Sequence, residues 1–449
     1  MHEFTKTPLI LPWAISLLSA EQLANIILPQ GSGKVTVSFD ALTQAAGEQL
    51  SETIQSLFLL GDNLQREATD LVFSLLTPDV FKPCSGATSA IVQQSAEIFR
   101  SLNPVQDGTL TLQELQNKLE VFFLVRNVPN TLQLPTEPPF PPLPEVIQKA
   151  YAMEPYPALW AVEGIGHWYG DTVFTRREEP QSLLTEASVR DLPRESLTML
   201  HAGIGMSMAQ HWVKTVNHRS PIADIRYALA RAIALCREHS LSGYEGAALE
   251  SLGLITRNGQ FYSETRPDAM VQIVSRELEH LDPEVFEYFW HGVGRAHYFL
   301  PVHFIPGYGS IWHAVRMIQQ AVPNDRAWLN AIAGLAWGVT MVNIRHPQIV
   351  ANFLRYHGAQ LSTDDGFANG VASSLMMRYD TTPHASFIVP YVQYQPGSAD
   401  PQLARLWQSQ VQQPCTVALA EYYPVLQSQH RLGDIFRYQF LPALVAQLG

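Results

Sequence analysis

The stretch "YFWHGVGRAHYF", Tyr288 to Phe299, places two glycines two positions apart inside a run of aromatic and apolar residues. Glycine in a helix interior costs about 0.5–1 kcal/mol relative to alanine, so a helix that keeps Gly292 and Gly294 needs a reason for them. The lack of a side chain lets a neighbouring backbone approach closely. The stretch therefore predicts a buried helix that packs tightly against other helices.

The same pattern recurs along the C-terminal two thirds of the chain. A glycine, an apolar residue and then a second glycine or an alanine occur six times, at intervals of 36 to 46 residues. A period of about 41 residues is typical of one helix pair per repeat. The first glycines of the six stretches are Gly164, Gly203, Gly246, Gly292, Gly334 and Gly370.

Four intervening segments have the apolar spacing of amphipathic helices. Together with the glycine stretches they predict an all-α fold: an αα helical-repeat superhelix or toroid of about six helix pairs, preceded by an EF-hand-like helical domain. The four segments are 221–239, 266–281, 310–322 and 346–357.

A proline-rich segment divides the chain. "LQLPTEPPFPPLPE", Leu132 to Glu145, holds six prolines, which favours an extended spacer over a helix. We predict an EF-hand-like domain over 1–130, a linker over 131–146, the αα-repeat domain over 147–380 and a C-terminal helical cap over 381–449.

The segment Ile98 to Leu119 resembles an EF-hand calcium loop with its two flanking helices. Gly108 matches the sharp turn at loop position 6, and Val105 departs from the pattern at position 3. An earlier candidate loop, 28–39, has apolar residues at both main ligand positions. The segment either binds Ca²⁺ or keeps the fold for packing or partner docking. The candidate ligands are Asn103, Asp107, Thr109 and Glu114.

Composition excludes some partners. The formal net charge is -12 without a run of Lys or Arg, which argues against nucleic acid. No stretch reaches the roughly 20 apolar residues of a transmembrane helix. Three scattered cysteines and the lack of a secretory signal predict a cytoplasmic protein. Only 16% of residues are charged, and this favours an enclosed site for an apolar small molecule.

The residues directly before the repeat glycines are the candidate site. Equivalent positions in a superhelix face the same way, so Glu163, Glu245, His291 and Asn369 are expected to converge, with His201 beside them. Such a group performs acid–base catalysis or, with His167 and His297, binds Fe, Mn or Zn. Alternatively, these side chains only satisfy polar groups between closely packed helices.

The motifs "EGIGHWYG", "HAGIGMSMA" and "WHGVGRAHYF" are similar to those of an uncharacterised bacterial family associated with enediyne polyketide gene clusters. Members of that family carry repeated E/H-G-x-G helices, and the resemblance covers about residues 150–380. It implies a role in specialised, polyketide-like metabolism. No catalytic residues are carried over from it.

Two functions remain open from the sequence. In the first, the protein is an enzyme or ligand-handling protein that binds an apolar small molecule inside the repeat domain, with Glu163, Glu245, His291 and His201 at the reactive end. In the second, it is a non-catalytic helical scaffold for a protein partner. The first predicts a cavity at the centre of the repeat, and the second predicts a filled centre.

Overall fold

The computed structural model describes residues 108–135, 139–175, 183–184, 189–258, 266–300, 311–397 and 400–449. These residues are helical or irregular, and no β-strand occurs among them. The chain divides into two compact units. The first comprises 1–115 and 301–310, of which the structure describes 108–115. The second comprises 116–300 and 311–449 and contains the glycine repeat.

The helices of the second unit follow one another along the chain. In chain order, the α-helices are α1 (Gly108–Arg126, which begins in the first unit), α2 (Val128–Thr131), α3 (Leu143–Tyr151), α4 (Pro155–Thr175), α5 (Leu197–Val213), α6 (Ile222–Glu238), α7 (Glu245–Arg257), α8 (Pro267–Leu281), α9 (Pro283–Tyr298), α10 (Ile311–Ala321), α11 (Asp325–Asn343), α12 (Pro347–Leu361), α13 (Gly366–Thr381), α14 (Ile388–Gln393), α15 (Pro401–Trp407), α16 (Gln413–Val417), α17 (Tyr423–Ser428) and α18 (Leu441–Leu448).

The six glycine stretches are all helical, and we call α4, α5, α7, α9, α11 and α13 the glycine helices. Each of them packs mainly against the glycine helices that neighbour it in chain order. A side-chain carbon added at the contact glycines would collide with a backbone carbonyl of the preceding glycine helix. The colliding pairs are Gly203 with Glu163, Gly292 with Glu250, Gly334 with His291 and Gly370 with Ala333. The predicted reason for the glycines, close backbone approach, is confirmed at these positions.

The four flanking helices α6, α8, α10 and α12 alternate with the glycine helices from α5 to α13. Their bounds lie within four residues of those predicted from the sequence. Proline in the first turn starts α8 and α12, where its missing N–H costs nothing. Each flanking helix buries one apolar face, as Ile225, Leu229 and Ile233 do on α6.

The predicted register of α7 is wrong. Gly246 packs against the carbonyl of Gly433 and the ring of Tyr288, and not against the backbone of the preceding glycine helix. The contact with α5 is made instead by Ser251, whose hydroxyl donates to the Ala202 carbonyl at 3.0 Å. Ser251 therefore occupies the place that glycine takes in the other helices, and the residue before it is Glu250, not Glu245.

The proline-rich segment and the EF-hand-like segment are only partly described. α3 begins at Leu143 inside the predicted linker, because Pro144 lies in the first turn, where proline is tolerated. Asn103, Asp107 and the loop at 28–39 lie outside the described residues. Thr109 and Glu114, two of the predicted calcium ligands, lie in the helix α1. Calcium binding itself stays a prediction.

The C-terminal residues form a helical run from Pro401 to Ser428, with π-helical turns at Gln408–Gln412 and Ala418–Tyr422. This run packs against α13, the last glycine helix. A 3₁₀ turn at Leu432–Phe436 then contacts α7, α9 and α13. None of the described helices is long and apolar enough to cross a lipid bilayer.

Candidate functional site

A cluster of four charged or titratable side chains lies between three glycine helices, and we call it the buried charge cluster. It consists of Glu163 from α4, Glu250 from α7, and His291 and Arg295 from α9. Arg295 donates from Nη2 to Glu163 Oε1 at 2.5 Å and from Nη1 to Glu250 Oε2 at 3.1 Å. The Nδ1 atom of His291 lies 3.1 Å from Glu250 Oε1. All four side chains are at most 3% exposed.

The two carboxyl groups of the cluster differ electrostatically. Burial disfavours the charged form of both. For Glu163 burial outweighs the attraction of Arg295, and its pKa is raised. For Glu250 the charge of Arg295 and the hydrogen bond with His291 outweigh burial, and its pKa is lowered. The two carboxylates in turn raise the pKa of Arg295, Glu163 more than Glu250.

Aromatic rings close around the cluster. The guanidinium of Arg295 lies 4.4 Å from the centre of the Trp337 ring, within cation–π distance. The ring of Phe436 lies beside both His291 and Trp337. The cavity that touches Glu163 and Arg295 has a volume of about 50 Å³, which holds one or a few water molecules and no metabolite.

His291 has the arrangement of an oriented base. Glu250 holds its Nδ1 side, and Nε2 is buried without a hydrogen-bond partner. Such a geometry abstracts protons when a substrate can reach Nε2. Here His291 is 0% exposed. The buried charge cluster is therefore enclosed within the helix packing.

Two other predicted histidines are held by backbone or arginine contacts. His201 Nδ1 lies 2.6 Å from the Leu197 carbonyl, and its Nε2 accepts from the Leu241 amide at 3.0 Å. This pattern requires the neutral ring, and burial lowers the pKa of His201 to about 4. His297 Nδ1 lies 2.8 Å from the Val293 carbonyl, and Arg257 donates to its Nε2. Neither ring joins the cluster.

The remaining predicted site residues make their hydrogen bonds outside the cluster. Glu245 accepts a hydrogen bond from the Gly243 amide at 2.6 Å. His167 Nε2 lies 3.1 Å from Gln210 Oε1 on α5. Asn369 donates to the Gln439 carbonyl at 2.5 Å. Across the described part of the chain, no three His, Cys, Asp or Glu side chains are grouped to hold a metal ion. The expected Fe, Mn or Zn site stays a prediction.

Sequence reasoning missed Glu250 and Arg295. Both are charged residues inside apolar glycine stretches, "EGAALESLG" and "HGVGRAHYF". A charge in a helix that is buried on every side needs a partner. This signal was present in the sequence and would have added both residues to the candidate site.

A larger pocket opens elsewhere, where the start of α4 meets the end of α13. We call it the seam pocket. Its volume is about 580 Å³, and its walls are mainly apolar. The residues that line it include Tyr151, Ala152, Ala158, Glu195, Thr381 and His384. The Tyr151 hydroxyl and the Thr381 Oγ1 are buried in its walls without a hydrogen-bond partner.

Two buried side chains of α13 hold the seam together. Arg378 Nη1 donates to the carbonyls of Pro155 and Tyr156 at 3.3 Å, and burial lowers its pKa to about 10. Asp380 accepts from Thr198 on α5 at 3.2 Å and from Tyr423 on α17 at 3.1 Å. Burial raises the pKa of Asp380 to about 6, and these hydrogen bonds oppose the rise. The last glycine helix thus bonds to the first two.

Comparison with protein families, curated proteins and solved structures finds no match to this chain. The resemblance to the enediyne-associated family therefore stays a prediction.

Proposed function

We propose that the glycine helices and flanking helices form an αα superhelix, curled until its first and last glycine helices meet, and that this superhelix binds an apolar small molecule in the seam pocket. The contacts of Arg378 with Pro155 and Tyr156 support the curled form. The binding site then lies at the junction of α4 and α13 and not at the centre of the repeat.

The observation that carries the binding role is the pocket itself. A volume of about 580 Å³ lies within the 300–1,000 Å³ typical of small-molecule sites, and apolar walls with a few polar groups are typical of them. The exposed polar groups on the wall are Gln148, Glu195 and His384, and the unpartnered Tyr151 and Thr381 hydroxyls are buried within the wall. The resemblance to the enediyne-associated family suggests polyketide-like metabolites as ligands.

The contacts of the predicted catalytic residues support a binding protein more than an enzyme. Glu163 and His291 are enclosed in the buried charge cluster, and His201 bonds to backbone at both ring nitrogens. We assign all three to stabilising the packing between glycine helices. The cytoplasmic location expected from the cysteines remains part of the proposal.

The alternative function, a scaffold for a protein partner, is favoured by one observation. The centre of the repeat is filled by Trp160, Trp337 and Phe436, which are 0% exposed. A scaffold needs no cavity, so the seam pocket distinguishes the two functions.

Native mass spectrometry of the protein purified from its own host tests the binding role. We expect a retained small molecule that is released on denaturation. Ala152→Trp, at an exposed position of the pocket wall, should reduce its occupancy at least tenfold. The control Ala223→Trp, at an exposed position of α6, should retain it. Equal occupancy in both variants, or no small molecule in the wild type, would favour the scaffold.

A further inference from the structure

The charges around the seam pocket are of one sign. Among the described residues that line it, Glu195 is the acid, and neither Lys nor Arg is present. Glu195 is exposed in the 3₁₀ turn Arg194–Ser196. Its carboxylate can therefore bind a ligand without giving up another hydrogen-bond partner. The other ionisable side chains on the wall are Tyr151 and His384.

A second carboxyl group lies behind the same wall. Asp380 directly precedes Thr381, and with a pKa of about 6 it carries charge at neutral pH. Both carboxyl groups act on the pKa of the Tyr151 phenol. Burial raises its pKa, and the charges of Glu195 and Asp380 raise it further. The wall therefore lies in a negative potential, which favours positive charge in the pocket.

Two positive charges lie near this wall, and both are turned to other partners. Arg194 donates to the Gln427 carbonyl. The guanidinium of Arg378 donates to the carbonyls of Pro155 and Tyr156. It also lies 5.1 Å from the Tyr156 ring centre and 5.4 Å from that of Phe387. Arg378 is 0% exposed and does not line the pocket, whereas Glu195 does.

We propose that the ligand of the seam pocket carries a protonated amine on its apolar body, and that Glu195 binds this amine. The inference rests on the proposed function, because it names the chemistry of the same pocket. An ammonium donates charge-assisted hydrogen bonds to the carboxylate, and these are roughly twice as strong as neutral ones. The ring of Tyr151 offers a second, cation–π contact.

Three probes with one naphthalene ring system separate charge from apolar burial: 1-naphthylmethylamine, 1-naphthylmethanol and 1-naphthylacetic acid. Each is smaller than the pocket, and naphthalene fluorescence anisotropy reports its binding. At pH 7 and low salt, we expect the amine to bind at least tenfold more tightly than the alcohol and the acid to bind most weakly. Added salt should reduce the preference for the amine.

Glu195→Gln removes the charge and keeps the shape of the side chain. We expect it to bring the affinity for the amine to that for the alcohol, and to leave the alcohol unchanged. The control Glu238→Gln, at an exposed acid of α6, should preserve the preference. Because both glutamates are exposed, neither change should prevent folding.

Four results would overturn the inference. An amine affinity unchanged in Glu195→Gln would remove Glu195 from the site. An acid that binds more tightly than the amine would show that Arg378 sets the selectivity. Equal binding of all three probes would show an apolar pocket that does not select charge. The proposed binding function would then hold, and the inference of an amine ligand would fail. If no probe binds, both proposals fail together.

Discussion

Gly203 shows at the scale of one residue what the repeat requires. A side-chain carbon at this position would overlap the Glu163 carbonyl oxygen and press on the backbone of His167. Both atoms belong to the backbone of α4, so no side-chain rotation relieves the overlap. The helices must separate, and the cost falls on the whole contact between α4 and α5.

We therefore expect Gly203→Ala to lower the free energy of unfolding by at least about 2 kcal/mol, measured by urea unfolding with far-ultraviolet circular dichroism. The matched control is Gly397→Ala, where no atom lies within 4 Å of the added carbon. It should change stability by less than about 0.5 kcal/mol. Equal effects of the two changes would contradict the role given to the repeat glycines.

The sequence predicted site residues where the repeat is regular and misplaced them where it is not. Glu163 precedes Gly164 and His291 precedes Gly292, and both glutamate and histidine lie in the buried charge cluster. The glycine pattern predicts Glu245 as a site residue because Gly246 follows it. However, α7 makes its contact with α5 more than one turn later, at Ser251. A serine that substitutes for glycine breaks the pattern that the sequence shows. The glycine pattern alone therefore misses Glu250, which the sequence marks only as a charge inside an apolar helix.

At the scale of elements, Arg295 joins α9 to α4 and α7 through the two glutamates. Removing one partner of a buried ion pair leaves charge without compensation, which costs about 3–5 kcal/mol. We expect Arg295→Met to lower the free energy of unfolding by this amount. The triple variant Arg295→Met, Glu163→Gln, Glu250→Gln should recover much of the loss, because no buried charge remains.

Arg226 supplies the matched control for this prediction. It pairs with Glu277 between α6 and α8 at 2.8 Å, and its side chain is 56% exposed. Exposed ion pairs contribute about 0–1 kcal/mol, so Arg226→Met should have a small effect. If Arg295→Met were as mild as Arg226→Met, the cluster would not bind the glycine helices together.

The flanking helices were predictable because local rules determine them. Proline and apolar spacing in the segments 266–281 and 346–357 place helix starts within a residue of those observed. The EF-hand-like segment shows the opposite case. The motif Asp107-Gly108 predicts a loop, yet the residues from Gly108 onward continue as the helix α1. A match of six or seven residues did not determine the local structure there.

At the scale of the whole molecule, the seam pocket was not predictable. Its wall combines residues near 150, 195 and 383, and no motif links these segments. They come together where Arg378 of α13 bonds to the start of α4. The low charge of the sequence favours an apolar site, but the predicted place for it was the centre of the repeat. Trp337 and Phe436, beside the buried charge cluster, are fully buried.

A crystal structure of the protein with 1-naphthylmethanol tests this account most directly, because it reports both the meeting of the glycine helices and the place of the ligand. We predict the naphthalene ring between the Tyr151 and Thr381 walls of the seam pocket, with Arg378 bonded to the Pro155 carbonyl. A probe lodged beside the buried charge cluster, or a structure in which α4 and α13 do not meet, would contradict it.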